Sequence, residues 1–159
     1  MGTSSIYLRW KDKRDLLLDA LRDLEAHYVT PEESEGMTLR DYLVAHAEAR
    51  ANLYLGEHGP ALSHLHSAAL ANPDEFHEIR QRNISRGILS LHGRLERAIE
   101  DGELPAGTPV DHLLDAIEGA ILVHVLVSSP KSTDDLRAGI GEYVQTLVDL
   151  QLRGVGVTD

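Results

Sequence analysis

Apolar residues recur along this chain every three or four positions, the period that gathers them on one side of a helix. No stretch alternates at the period of two that marks a half-buried strand. Leu16, Leu17, Ala20, Leu21 and Leu24 give the first stripe and predict a helix over 12–28, with Asp19, Arg22 and Asp23 on its wet side. An acidic turn over 30–36 follows. Thr38 with Asp41 three residues later forms a capping box, in which each residue satisfies a backbone N–H of the other, and opens a helix to about Leu55. A turn over 56–59 leads to a short helix over 60–71. Asn72, Pro73 and Glu75 supply an N-cap, a first-turn proline and a reciprocal acid, and start a long helix that ends near Gly102. Phe76, Ile79, Ile84, Ile88, Leu91, Leu95 and Ile99 mark its buried side. Thr108, Pro109 and Asp111 repeat the start pattern for a helix over 109–128, and Ser129 and Pro130 separate it from a last helix over 133–153. The pattern predicts an all-α bundle of about six helices with short loops and no fixed repeat.

Two stretches carry more than a single buried stripe. The helix over 109–128 is apolar on two sides, with Leu113, Ile117, Ile121 and His124 on one and Ala116, Ala120, Val123 and Val127 on the other. One neighbouring layer cannot cover both. The expectation is a twofold homodimer, in which the same patch meets itself, through Gly119, Ala120, Val123 and Val127, joined by Tyr143 and Leu147 of the last helix. In the helix from Thr38, the stripe of Leu39, Leu43 and Ala47 also contains His46, Arg50 and Tyr54, with Tyr42 on its edge. Arg80 and Asn83 likewise accompany Ile84 and Leu91, and His124 continues the row of Ile117 and Ile121. Buried polar groups need partners. Either each is satisfied singly in the core, or several converge on a mostly apolar small-molecule pocket between the helices beginning at Thr38, Pro73 and Pro109. The second alternative makes Tyr42, His46, Arg50, Asn83 and His124 the ligand-binding candidates.

Composition narrows the function. At 159 residues and 42% hydrophobic the chain suits one compact domain. Its longest apolar stretch, 119–127, is too short to span a bilayer. Without cysteine there is no thiol chemistry or disulfide framework, and no secretory segment follows Met1, so a cytoplasmic location is expected. No pair of the nine histidines stands three or four residues apart, the spacing that would put two metal ligands on one helix face, and no Glu-x-x-His motif occurs. Neither a metal nor a cofactor is implied. Nucleophile elbows, Walker loops and dinucleotide fingerprints are absent as well, which argues against an enzyme. The net charge of −11 is unevenly spread: Arg9, Lys11, Lys13 and Arg14 against Asp12 give the first 14 residues +3 and leave −14 for the remainder.

That basic end carries a recognisable pattern. A glycine (Gly2), a polar Thr3-Ser4-Ser5 run, Tyr7, Trp10, Lys13 and Leu17 stand at the spacing of the end of a TetR-type DNA-binding domain. In that family a glycine turn opens a short recognition helix, an aromatic pair closes it, and a lysine begins the long helix into the regulatory domain. The number and order of the later helices also resemble a TetR regulatory domain. The resemblance implies a division into a remnant of the helix-turn-helix over 1–11 and a ligand-binding and dimerisation domain over 12–159. It implies that Thr3, Ser4 and Ser5 approach the groove of operator DNA, and that Tyr7 and Lys13 contact phosphate. Leu8 stands where many relatives carry a basic residue, so the base preference does not carry over.

A helix-turn-helix also needs a first helix across the phosphate backbone, and only two residues precede the Thr-Ser-Ser run. The expectation is therefore a fragment, or a chain whose start has been lost, that binds operator DNA only with the preceding helices restored. The implied function is a dimeric transcriptional repressor released from DNA by a small, mostly apolar ligand. The alternative is a DNA-free helical dimer that binds a small molecule or a partner.

Overall fold

The computed structural model describes residues 9–12, 15–16, 19–20, 31–71, 86–127 and 133–157. Among them the regular elements are five helices: α1 (Leu39–Leu55), α2 (Gly59–Ala71), α3 (Arg86–Glu100), α4 (Val110–Val127) and α5 (Thr133–Gly154). Each falls on a helix expected from the apolar pattern, with α2 starting one residue earlier, at Gly59, and α5 ending one residue later, at Gly154. The start of the long helix, the break after α4 and most of the helix over 12–28 lie outside the described residues. What is described of that last helix is its first turn: Asp12 Oδ1 accepts from the Asp15 amide at 2.8 Å, the bond of an N-cap, and the Trp10 indole donates to Asp19 at 3.0 Å.

Helix α1 is the axis of the fold and packs against all four other helices. Its buried residues, Leu39, Tyr42, Leu43, His46, Ala47, Arg50, Ala51 and Leu55, follow the three-and-four spacing of one helix face. Ala47 and Ala51 are fully enclosed. Short side chains at successive turns let neighbours come close to the α1 backbone. Leu91, Leu95 and Ala98 of α3, Leu113, Ile117 and Ile121 of α4, and Ile140, Val144 and Val148 of α5 complete one continuous core.

Capping chemistry sets the ends of these helices. Thr38 Oγ1 accepts from the Asp41 amide at 3.1 Å, the expected half of the capping box, while the Asp41 carboxylate accepts from the Thr38 hydroxyl at 2.7 Å in place of the expected Thr38 amide. The last turn of α1 has no basic residue of its own, and Arg137 of α5 supplies one by donating to the Leu55 carbonyl at 2.7 Å. Gly102, with φ of +79°, ends α3 at the expected place. The loop to α4 turns back at Gly107, whose φ of +86° meets the demand of a tight turn closed by Thr108 N–H to Pro105 O at 3.1 Å. Thr108 spends its hydroxyl on the same Pro105 carbonyl, at 2.8 Å. At the end of α5, Gly156 donates to Arg153 O and Val157 to Leu152 O, the paired bonds of a Schellman cap.

The sharpest constraint is at the α1–α2 corner. Gly59 opens α2 directly against the Tyr54 carbonyl, and a Cβ there would overlap the Tyr54 backbone. Backbone cannot swing aside as a long side chain can. Gly59→Ala should therefore destabilise the domain by about 1–3 kcal/mol, as overpacking does, with an earlier urea midpoint and little change in slope. Gly139→Ala, on an exposed turn of α5 where no atom would meet the new methyl group, is the control and should leave the midpoint nearly unchanged.

Candidate functional site

Of the polar residues on the α1 stripe, Tyr42, His46 and Arg50 are buried and Tyr54 is half-buried, and the structure distributes them among different partners. His46 is 0% exposed and Arg50 is 6% exposed. They stand one helical turn apart on α1 and meet the same side chain, Glu118 of α4. The His46 Nε2 donates to Glu118 Oε1 at 2.6 Å and the Arg50 Nε to Oε2 at 2.8 Å, so each carboxylate oxygen is engaged by a different residue. An ionised carboxylate can only accept, which fixes the proton on Nε2. Burial pushes the Glu118 carboxyl upward, but the hydrogen bonds from His46 and Arg50 and the Arg50 charge outweigh it, and the net displacement is below the usual carboxylate range. Tyr54, one turn further along α1, has its hydroxyl pushed up by burial, with Arg50 opposing and Glu118 adding to the shift.

Tyr42 points elsewhere. Its hydroxyl shares a hydrogen bond with Ser90 of α3 at 2.9 Å, and the guanidinium of the buried Arg94 lies 6.0 Å from its ring centroid. Arg94 belongs to a second ionic cluster: it meets Glu33 at 2.5 Å and Glu103 at 2.8 Å, Arg97 adds a bond to Glu33 at 2.7 Å, and Glu103 accepts the Leu39 amide at 3.1 Å. The hydrogen bond from Arg94 holds the Glu103 carboxyl below its usual value. This cluster fastens the start of α1 and the loop before it to α3 and the loop that follows α3.

His124 is separate again. Its ring stacks on Tyr143 of α5, with centroids 3.6 Å apart and planes 9° from parallel, and the Tyr143 hydroxyl donates to the Ala120 carbonyl at 3.2 Å. Of the ligand-binding candidates, then, His46 and Arg50 are together, Tyr42 and His124 have other surroundings, and Asn83 lies outside the described residues. Thr3, Ser4, Ser5, Tyr7 and Lys13 lie outside them too. On the expected dimer face, Val123 and Val127 are 56% and 71% exposed, Gly119, Ala120 and Tyr143 are half-buried, and Leu147 is buried in the chain's own core.

Glu118, Arg94, Glu33 and Glu103 are missing from the residues that sequence patterns singled out. Glu118 had a signal: it is the lone Asp, Glu, Lys or Arg between Ala116 and Val127. Arg94 had one as well, since it falls on the Leu91, Leu95 and Ala98 face. Nothing local marks Glu33 and Glu103, which lie in acidic loops. Among the described residues no group of His, Asp or Glu side chains could hold a metal ion, and no helix is long and apolar enough to cross a membrane.

The all-helical architecture agrees with the comparisons. Residues 35–149, well over half of the chain, match the family model for the tetracyclin repressor-like C-terminal domain. The chain belongs to the TetR family. It is 25% identical over 158 residues to the uncharacterized HTH-type transcriptional regulator YdeS of Bacillus subtilis (strain 168), covering 99% of this chain and 75% of that protein. No solved structure matches. Membership in the TetR family makes the protein a DNA-binding transcriptional regulator rather than an enzyme.

Two outcomes test the network. Glu118→Ala should break the buried bonds from Arg50 and His46 to this carboxylate and destabilise the TetR-type domain by about 3–5 kcal/mol, the range for breaking a buried pair, read from thermal or urea unfolding. The acid limb follows from the carboxylates. Glu118, Glu103 and Asp149, the last bonded to Arg40, all have folded-state values below their ordinary ones. A lowered folded value makes the unfolded chain bind more protons, so their contribution is complete above about pH 5 and is lost as pH falls through the folded values. Unfolding midpoints should be level from neutral pH to about 5 and then drop, and Glu118→Gln should flatten that drop.

Proposed function

We propose that the protein is a dimeric, cytoplasmic repressor that leaves operator DNA when a small, mostly apolar ligand enters the core between α1, α3 and α4. The observation that carries this is the placement of α4. Its inner side is tied by Glu118 to two buried donors of α1, and its outer side presents Val123 and Val127 to solvent next to Gly119 and Ala120. A helix held on one side by polar bonds and left apolar on the other is suited to sit between a ligand and a second subunit. The polar end of the ligand would meet His46 and Arg50. Residues 12–159 form the regulatory unit in this reading and 1–11 the end of the DNA reader, where Thr3, Ser4 and Ser5 face the groove and Tyr7 and Lys13 hold phosphate.

The lever is geometric. Recognition helices of a twofold dimer must stand about 34 Å apart, or a multiple of it, to meet successive major grooves. A ligand releases DNA only if it favours an arrangement that spoils this spacing, and coupling of about 1–3 kcal/mol lowers affinity roughly 5- to 150-fold.

Light scattering at micromolar concentration should give twice the 17.5 kDa chain mass, and Val123→Glu with Val127→Glu should return the chain mass. A wild-type protein that stays at the chain mass would remove the dimer. With the preceding helices of the DNA reader in place, operator affinity should fall steeply with salt. Lys13→Ala should weaken binding across sequences and lower the salt slope by about one.

A further inference from the structure

We infer that Asp19 is a positioning residue for DNA binding: its carboxylate holds Trp10 and Arg9 across a corner of the chain and so sets the direction in which the DNA-reading end leaves the helix behind it. This rests on the reading above that residues 1–11 end the DNA reader. Arg9 is helical, residues 10–12 are not, and Asp15, Leu16, Asp19 and Ala20 are helical again. Past the corner the helix starts itself, with the Asp12 carboxylate accepting the Asp15 amide at 2.8 Å and the Asp12 carbonyl accepting the Leu16 amide at 3.3 Å. Neither of these bonds touches Arg9 or Trp10. Side chains cross the corner instead: the Trp10 indole donates to Asp19 Oδ2 at 3.0 Å, and the Arg9 guanidinium stands 3.7 Å from the same oxygen and 4.9 Å from the centre of the indole ring. Asp19 follows Asp12 by seven residues, or two turns, so it comes round to the side on which the chain enters, roughly 10 Å further along the helix.

The two contacts differ in what they can hold. The Arg9 and Asp19 side chains are 73% and 43% exposed, and an ion pair so close to water restrains little. The indole is half-buried and can only donate, so its N–H needs an acceptor from the protein, and an ionised carboxylate is a strong one. That bond fixes the ring, and the fixed ring gives the Arg9 cation a face to rest on. A recognition helix meets base edges only in one orientation, and a loose corner has to be ordered again at each binding event, at a cost in affinity.

Trp10 is the chain's only tryptophan, so proton NMR of the full chain shows one indole N–H resonance. Asp19→Ala should shift it upfield and speed its exchange with water several-fold, whereas Asp19→Asn, whose amide oxygen accepts the same bond, should stay near wild type. An unchanged resonance in Asp19→Ala would overturn the clasp. With the preceding helices in place, binding is measured on the duplex that the wild-type regulator selects from a random library. Asp19→Ala should lose about tenfold in affinity, the scale of one charged hydrogen bond, while Asp19→Asn should bind as well as wild type or better. Charge alone predicts otherwise, because each variant removes the same negative charge from the end facing DNA and both would bind more tightly. An equal rise in the two variants would therefore overturn the positioning role. Trp10→Phe should reproduce the loss of Asp19→Ala, and the double variant should lose no more than either single one; full additivity would also count against the clasp. A Lys13→Ala regulator that binds this duplex as well as wild type would strike the assignment of residues 1–11 to the DNA reader, while the indole resonance still decides the clasp.

Discussion

A charge taken out of water must be paired, and α1 brings two cation-forming side chains through the middle of this fold. Apolar contacts are forgiving about angle: Leu43, Ile117 or Val144 would be covered in many rotations of the helices around them. His46 and Arg50 are not forgiving. Both need an acceptor at hydrogen-bond distance, and Glu118 supplies it from α4 with one oxygen for each. Once that carboxylate is placed, the rotation of α4 about its axis is fixed. Its Leu113, Ile117 and Ile121 face the core, and Val123 and Val127 face outward. The outer surface of the regulator is thus set from the inside.

Much of this could be read in the sequence because the signals are local. A capping pair such as Thr38 and Asp41, a glycine such as Gly102 at the end of a periodic run, and a stripe at helical spacing each depend on residues a few positions apart. The α1 stripe also pointed to the buried Tyr42, His46 and Arg50, while the buried Arg94 on the α3 face went unmarked. What they could not supply is the partner, because helix phase gives a direction around the axis and says nothing of the neighbour standing there. Tyr42 and His46 share a face yet lie one turn apart, and that is enough to give one Ser90 and the other Glu118. His124 is six residues beyond Glu118, roughly 9 Å along α4 at 1.5 Å per residue, and so reaches Tyr143 instead. The stripe of α5 divides for a related reason. Residues spaced by threes and fours spread over a broad arc, and Val144 and Leu147 on one part of it turn inward while Leu150 on another is exposed.

Two buried arginines, Arg50 and Arg94, show that similar pairs need not do similar work. Arg94 is held by two carboxylates from two loops, Glu33 and Glu103, and loss of either leaves the other in place. Such redundancy anchors. It keeps the start of α1 and the end of α3 together, and Tyr42 packs between them. In the inner cluster one carboxylate, Glu118, meets two donors of α1, one with each oxygen.

This asymmetry decides where the domain can respond. A network with spare partners absorbs a local change, whereas one in which a single group serves two others passes the change on whole. The anchored cluster joins α1 and α3 through carboxylates carried on loops. Glu118 is held on a helix of 18 residues, whose backbone carries a displacement at one turn to the turns beside it. Gly119 and Ala120 immediately follow Glu118, and Ala120 also accepts the Tyr143 hydroxyl from α5. Within one turn of α4, therefore, the tie to α1, the tie to α5 and the edge of the exposed apolar face all meet, and a change in the first has only that turn to cross before it reaches the other two.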